Sequence, residues 1–401
     1  MNRKDQLPVI LSGIFFIIML FNVFTVTKLP IRDLAFTTME WMLYISFFVI
    51  GYAIQKQSHW DKRLTPFYSG FILLSVMYII IHIVNGNYYD NNGLTEMLLI
   101  LTFIFAVVHV KWDHPKQIIL FAQISVALIF LILIQWILLD YPMSRFQSYI
   151  RNPNILGVFM SCLLFFPLIA FSRSYKWNKL IFLLGIIAGS VIIYVSTARA
   201  VILLLLTVVG ARIVLYLSKK VFSYLFHVIV IFNILFLAFY TLLAKSSYFD
   251  SLNNWSIETF GKNFFSGRQN IWEPVMEFGL KQPIFGHKVG IMPVNYMEGS
   301  HYVHVHNQYL QIFLESGLVG LVCFVFFLYG IWKVYQKGLH SNIVRWSACF
   351  FLGILVYQSV EVSLFFNMEP IGLMHWFIIA IGMSAVLFYK PEAKEMHGQT
   401  L

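Results

Sequence analysis

The chain has 401 residues, of which 59% are hydrophobic and 11% charged, with a net charge of +10 and a mean hydropathy of +0.75. A soluble domain has about a quarter of its residues charged, so this composition excludes a soluble globular protein. The positive charge does not indicate nucleic-acid binding, because the basic residues lie in short segments between apolar runs and form no single basic face.

Apolar runs of roughly 17 to 25 residues are long enough to cross a bilayer as helices. Twelve such runs predict an all-α, polytopic membrane protein with about twelve transmembrane helices. They cover residues 7–27, 34–54, 66–84, 94–110, 117–139, 154–172, 179–197, 200–218, 221–244, 306–332, 343–363 and 371–389. The first run follows two basic residues, as in a signal peptide, but it is long enough to span and no small-residue cleavage site follows it.

The distribution of lysine and arginine predicts the orientation. With the N-terminus in the cytoplasm, eighteen of the 28 basic residues fall in inner segments and only five in short outer loops. Short cytoplasmic loops are enriched in lysine and arginine, so both termini are predicted to lie inside and the polar segment 245–305 outside. Within that outer segment, Arg268 to Leu280 has the pattern of a short amphipathic helix.

Arginines on the outer side run against this bias and are candidate site residues. Arg199 lies in a tight turn between two apolar helices, where it either extends to the interface or faces an anion site. Arg268 stands at the start of the predicted outer helix, either as a solvated cap residue or as a second anion ligand. Arg145 and Arg151 are further candidates in an outer loop.

Three histidines, His301, His304 and His306, lie within six residues in HYVHVHNQYLQIFLESGLVG, residues 301–320. One interpretation is a metal site, although no cysteine and few carboxylates lie nearby to complete the ligand shell. A second is a set of interfacial polar residues without chemistry. The third is a general base, because an imidazole with a pKa of about 6.5 can take a proton from a hydroxyl near neutral pH.

A helix beginning near His306 would place Leu310, Phe313 and Gly317 on one face, with Gly320 close beside them. The two glycines would let another helix approach closely in lipid. Asn307 and Gln308 would keep the outer end of this helix polar. Glu315 would lie about two turns deeper, where a carboxylate is unfavourable unless it is paired.

HNQYLQIFLESGLVG, from His306 to Gly320, resembles the pattern of the O-antigen ligase and Wzy-type polymerase superfamily, which is His, then Asn, Ser or Gln, then nine residues and Gly-x-x-Gly. Four further stretches are similar to segments of that family. They are STAR (196–199), SGRQNIW (266–272), QPIFGHKVG (282–290) and RNPNILG (151–157). The resemblance covers about residues 150–390 and leaves the first five helices matched in hydropathy alone.

This resemblance implies a membrane glycosyltransferase that needs neither a metal nor another cofactor. The donor would be a glycan on a polyprenyl diphosphate such as undecaprenyl diphosphate, used at the outer face of the bacterial cytoplasmic membrane. His306 would be the catalytic base, and Arg199 and Arg268, with Arg145 and Arg151, would bind the donor diphosphate. The supporting residues would be Asn307, Gly317, Gly320, Glu315 and His304.

The implied division is 1–150 for N-terminal transmembrane helices, 151–390 for an O-antigen ligase-like domain including loop 245–305, and 391–401 for a cytoplasmic tail. The implied function is polymerisation of a capsule, exopolysaccharide or O-antigen. The implied partners are a lipid-linked oligosaccharide donor, a glycan acceptor, the membrane and other polysaccharide assembly proteins, with no nucleic acid. Two alternatives stay open, which are a ligase that transfers finished glycan to another acceptor and a transporter or flippase.

Overall fold

The computed structural model describes residues 3–56, 61–85, 92–112, 114–244, 246–260, 263–264, 267–296, 304–365 and 369–389. Within these residues the chain forms fourteen α-helices and no β-sheet. The helices are α1 (Arg3–Phe21), α2 (Arg32–Lys56), α3 (Thr65–Val84), α4 (Asn92–Val108), α5 (Pro115–Leu138), α6 (Pro153–Phe171), α7 (Lys176–Ser196), α8 (Arg199–Leu217), α9 (Lys219–Ala244), α10 (Phe249–Phe260), α11 (Gln269–Gly279), α12 (Gln308–Lys337), α13 (Asn342–Tyr357) and α14 (Glu369–Leu387).

Each of the twelve predicted spans coincides with a helix, and the all-α membrane architecture is confirmed. Ten of the described helices are long and apolar enough to cross a membrane, whereas α4 and α13 are shorter apolar helices. The predicted helix 343–363 is wrong beyond Tyr357, where α13 ends. The outer helix predicted from Arg268 to Leu280 is present as α11. The predicted tail 391–401 lies outside the described residues.

The bundle is held by aromatic packing inside and by polar contacts at its ends. The ring of Phe16 in α1 lies 4.6 Å from that of Phe121 and 4.8 Å from that of Phe166, so α1, α5 and α6 share one core. Helix α14 is buried along its whole spanning window. At one end of the bundle, Arg63 donates hydrogen bonds to the carbonyls of Val386 and Leu387, which satisfies the last turn of α14.

Gly317 interrupts α12 because another segment of backbone crosses it there. The residue has φ 62° and ψ −162°, a region essentially restricted to glycine. Leu318 N donates to Pro283 O at 2.8 Å and Val319 N donates to Ile284 O at 3.2 Å. The expectation that Gly317 contacts another helix is therefore wrong, because its partner is the turn of QPIFGHKVG. A Cβ on Gly320, by contrast, would lie 3.2 Å from the Met77 methyl of α3.

We predict that Gly317→Ala destabilises the protein. A Cβ at this position would lie 2.3 Å from Ile284 O and 2.7 Å from Gly286 N, and the backbone conformation alone costs about 1–3 kcal/mol for a side-chain-bearing residue. The midpoint of thermal aggregation in detergent should fall by several degrees.

The matched control is Gly210→Ala in α8, where an added Cβ meets nothing within 4 Å. This variant should equal or exceed wild type, because alanine is the better helix former. Equal midpoints for the two variants would contradict the crossing at Gly317.

Candidate functional site

The histidine identified in the sequence lies immediately before α12, not within it. Asn307 is the N-cap residue, and its side-chain oxygen accepts from Leu310 N at 2.9 Å. His306 has φ 53°, in the left-handed region, so the predicted face shared by His306 and Phe313 does not exist. Asn307 Nδ2 also donates to Ser359 O at 2.9 Å, which ties the start of α12 to the segment that follows α13.

A buried carboxylate, Glu361, joins the histidine to an arginine. Its Oε2 lies 2.9 Å from His306 Nδ1, and its Oε1 accepts from Arg268 Nη2 at 3.2 Å. Arg268 Nη2 also donates to Val360 O at 2.8 Å. Glu361 is 5% exposed at its side chain, whereas that of His306 is 38% exposed, so the imidazole can meet a substrate and the carboxylate cannot.

The charge state of Glu361 determines the tautomer of His306. Burial acts to raise the pKa of Glu361, but the hydrogen bond and charge of His306, with the charge of Arg268, outweigh it and hold the pKa below its ordinary value. An ionised carboxylate only accepts hydrogen bonds, so His306 Nδ1 must carry the proton. In the neutral ring, Nε2 then has its lone pair available for a proton from a hydroxyl group.

The segment 358–365 is held in place by hydrogen bonds of Gln308 and Gln358. Gln308 N donates to Gln358 O at 2.9 Å, and Gln308 Oε1 accepts from Leu364 N at 3.0 Å. Gln358 Nε2 donates to Ser363 Oγ at 2.8 Å and its Oε1 accepts from Ser363 N at 3.1 Å. These bonds fix Glu361 relative to the start of α12, which adjoins His306.

Two guanidinium groups lie near one another at this end of the bundle. Arg199, at the first position of α8, donates to Asn263 O at 3.4 Å and experiences electrostatic repulsion from Arg268. Arg268 Nε is buried and has no hydrogen-bond partner within the described residues. A buried donor without a partner is unfavourable, and an anion bound between the two arginines would satisfy it and relieve the repulsion.

His304 is shielded from solvent next to these groups. Burial, together with the charge of His306, lowers its pKa to about 4, against the opposing charge of Glu361. His301 lies outside the described residues, so the three-histidine arrangement is not defined. In the part of the chain that the structure describes, no three histidine, cysteine, aspartate or glutamate side chains are grouped as a metal site.

The remaining candidate residues lie at other places. Arg151 Nε donates to Thr27 O at 3.0 Å, so this guanidinium is turned to the first outer loop. Arg145 is exposed in the same loop as Arg151, with φ 55°. Glu315 is fully buried, accepts from Gln311 Nε2 and has no described hydrogen bond to the site. The structure thus brings together His306, Arg268 and Arg199 and adds Glu361, which the sequence analysis missed inside a predicted span.

We predict that His304 makes stability depend on pH. Because its pKa in the folded protein is about 4, below the ordinary 6.5, the unfolded chain binds a proton first as the pH falls. The stabilisation is complete above pH 6.5 and decreases progressively toward pH 4. When melting temperatures are measured between pH 7 and pH 4.5, they should decrease less for His304→Gln than for wild type. His114→Gln, at the opposite end of the bundle, should keep the wild-type slope, and an unchanged slope in His304→Gln would contradict the prediction.

Comparison with known proteins bears on this site directly. The model of the Wzy_C family, described as O-antigen ligase, matches residues 183–325. A search of curated proteins gives no match. The matched segment contains Arg199, Arg268 and His306 and ends before Glu361. This match confirms the predicted resemblance to the O-antigen ligase superfamily over residues 183–325 of this multi-pass membrane protein.

Proposed function

We propose that this protein polymerises a surface polysaccharide, such as a capsule, an exopolysaccharide or O-antigen repeat units. The donor is a glycan on a polyprenyl diphosphate, and the acceptor is a sugar hydroxyl. The reaction takes place at the outer face of the bacterial cytoplasmic membrane. The observation that carries the proposal is the buried carboxylate of Glu361, which contacts both His306 and Arg268.

The first part of the reaction is activation of the acceptor. His306 Nε2 takes the proton of the acceptor hydroxyl, and the hydroxyl oxygen forms a bond to the anomeric carbon of the donor. Glu361 orients the ring through Nδ1 and stabilises the imidazolium that forms. A general base of this kind contributes roughly 10²–10⁴ in rate.

The second part is stabilisation of the leaving group. As the bond between the anomeric carbon and the diphosphate oxygen breaks, its electron pair passes to the diphosphate, whose negative charge increases. The Nη2 group of Arg268 is held by Glu361 and Val360, so the guanidinium group is oriented before substrate binds. Arg199 supplies a second fixed charge, and two guanidinium groups can carry out this role without a metal ion.

An apolar cavity beside Arg199 fits the lipid part of the donor. The cavity has a volume of about 440 Å³ and is lined chiefly by Phe239, Leu243, Tyr248, Leu252 and Phe264. Phe264 directly follows Asn263, whose carbonyl accepts from Arg199. A chain that enters this cavity between α9 and α10 would hold its diphosphate end close to the two arginines.

A ligase would use the same donor and the same three residues, with a different acceptor. The distinction therefore depends on the product. A transporter fits less well, because transporters bind substrate near the midplane, whereas the site here lies at one end of the bundle.

We predict that His306→Ala abolishes chain extension in the native host. The gene is deleted and complemented with wild type or His306→Ala, and surface and lipid-linked glycans are separated on a gel. Single repeat units should accumulate in the deletion and in the His306→Ala strain, because neither can deprotonate the acceptor efficiently.

The control His114→Gln should restore long chains. Long chains that remain on the polyprenyl carrier in the deletion strain would favour the ligase. A deletion strain with an unchanged glycan profile would contradict the glycosyltransferase proposal.

We predict that Arg268→Lys lowers the rate of glycan transfer by about 10²-fold although the charge is kept. A single ammonium group cannot bind Glu361 and Val360 and still present two donors to the diphosphate. Initial rates are measured with purified protein and lipid-linked repeat units isolated from the host.

Arg345→Lys is the matched control, because Arg345 binds backbone carbonyls at the opposite end of the bundle. Full activity of Arg268→Lys would contradict the two-donor contact. In the same assay EDTA should leave the wild-type rate unchanged, and loss of activity that zinc restores would contradict the metal-independent mechanism.

A further inference from the structure

A second cationic cluster lies on the same end of the bundle. An isolated antiparallel bridge pairs Thr27 with Ile150, and Lys28 N donates to Tyr149 O at 2.9 Å while Arg151 N donates to Val26 O at 3.0 Å. Thr27 and Ile150 are each 4% exposed, so they form the inward face of this short pairing. Side chains alternate along paired strands, so Lys28 and Arg151 lie on the outward face, and both are exposed.

The pairing brings two like charges close together. Lys28 and Arg151 occupy diagonal positions, for which the separation across an antiparallel pair is about 7–8 Å. With the Gln147 amide in the orientation that satisfies both neighbours, its oxygen accepts from Lys28 Nζ at 2.9 Å and its nitrogen donates to the backbone carbonyl of Arg151 at 3.1 Å. Neither basic residue forms an ion pair with a described acidic side chain. Such a pair is stabilised when an anion binds between the two charges.

The loop that carries Arg151 is firmly held, so the cluster is preformed. Phe146 is buried and its N–H donates to Val195 O at 3.1 Å, and Trp136 Nε1 donates to Pro142 O at 3.0 Å. Non-glycine residues with positive φ are uncommon, and they concentrate at functional sites when the surroundings enforce them. This loop has four, which are Asp140, Tyr141, Arg145 and Ser148.

The cluster neighbours the proposed donor site but is separate from it. A Cβ on Gly157 would lie 2.6 Å from Ala198 Cβ, so the start of α6 packs against the turn that precedes Arg199. Arg151 precedes the first residue of α6, Pro153, and so lies outside the helix that makes this contact. Arg151 is bonded to Thr27 in the first outer loop, whereas Arg199 is bonded to Asn263 in the long outer loop. The two guanidinium groups are therefore held by different segments of the chain.

We propose that Lys28 and Arg151 bind the diphosphate of the acceptor lipid, with Arg145 adding charge from the same loop. This inference rests on the proposed polymerase function, in which the acceptor is a second repeat unit on a polyprenyl diphosphate. A polymerase that holds two lipid-linked substrates must hold two diphosphate groups, and both lie at the depth of the lipid headgroups. The oligosaccharide of the acceptor then extends from this cluster to His306, where its terminal hydroxyl reacts.

The cluster is suited to bind the phosphate group of a lipid. Arg151 has four of its five N–H donors without a described partner, and a guanidinium fork matches phosphate oxygens. An anionic phospholipid of the bulk membrane also carries a phosphate group, so the test distinguishes the acceptor lipid from bulk phospholipid.

The test counts bound undecaprenyl diphosphate by native mass spectrometry of the full chain in phosphatidylcholine nanodiscs. Wild type should bind two copies. Lys28→Gln should weaken one of them about tenfold, the effect of losing one charge-assisted contact, and Arg268→Ala should weaken the other. Lys281→Gln removes an exposed lysine whose ammonium group lies over the Phe278 ring, and this variant should keep both copies.

The possible results separate this proposal from the proposed function. One bound copy that Arg268→Ala removes and Lys28→Gln retains would overturn the acceptor site and leave the donor site standing. No bound copy in wild type would contradict the donor and the function together. A second copy displaced equally well by phosphatidylglycerol would assign the cluster to bulk phospholipid and overturn the proposal.

A kinetic measurement excludes a merely structural role for Lys28. With the lipid-linked repeat unit as donor, Lys28→Gln should raise the KM for a lipid-linked acceptor about tenfold. The rate of transfer to the same oligosaccharide released from its lipid by mild acid should match wild type. A parallel loss with both acceptors would contradict diphosphate binding at Lys28.

Discussion

The buried carboxylate of Glu361 is the constraint on which the site depends. A carboxylate removed from water is unfavourable unless charged partners compensate it, and each of its oxygens has one such partner, His306 on one side and Arg268 on the other. The proposed base, His306, and the proposed anion ligand, Arg268, are thereby held in a fixed relation. Loss of either partner leaves a buried charge incompletely compensated, so the two groups act as one unit and substitutions at them are not expected to be additive.

The position of Glu361 depends in turn on a non-helical segment in an apolar bundle. Backbone groups at this depth must be satisfied within the protein, and 358–365 achieves this through side chains instead of helix bonds. Gln308 and Gln358 bind the backbone of the segment, and Ser363 Oγ lies 3.1 Å from His375 Nδ1 of the buried helix α14. The glutamines and the serine in these apolar spans are therefore explained by the loop that they hold.

The basic residues of the two proposed lipid sites all carry a positive charge, but different contacts place them. Arg199 and Arg268 are placed by a turn between helices and by a carboxylate, whereas Lys28 and Arg151 are placed by a backbone pairing between two loops. All four lie at the end of the bundle that the distribution of basic residues predicts to face outward, where short loops carry few basic residues. Binding of lipid phosphates provides a common reason for both sets, since each is located at helix ends where headgroups lie.

The sequence by itself determined the membrane class, the twelve apolar spans, the bias of basic residues and the family motif around His306. These are local properties, because hydropathy and short motifs depend on neighbouring residues. Tertiary structure alone decided that Glu361, 55 residues from His306 and 93 from Arg268, joins the two. It likewise decided that Arg151 meets Thr27, 124 residues away, and that Gly317 faces a crossing turn. Hydropathy assigned Glu361 to a helix because the surrounding residues are apolar. The charge pairing that draws it to the site exists only once distant segments have packed.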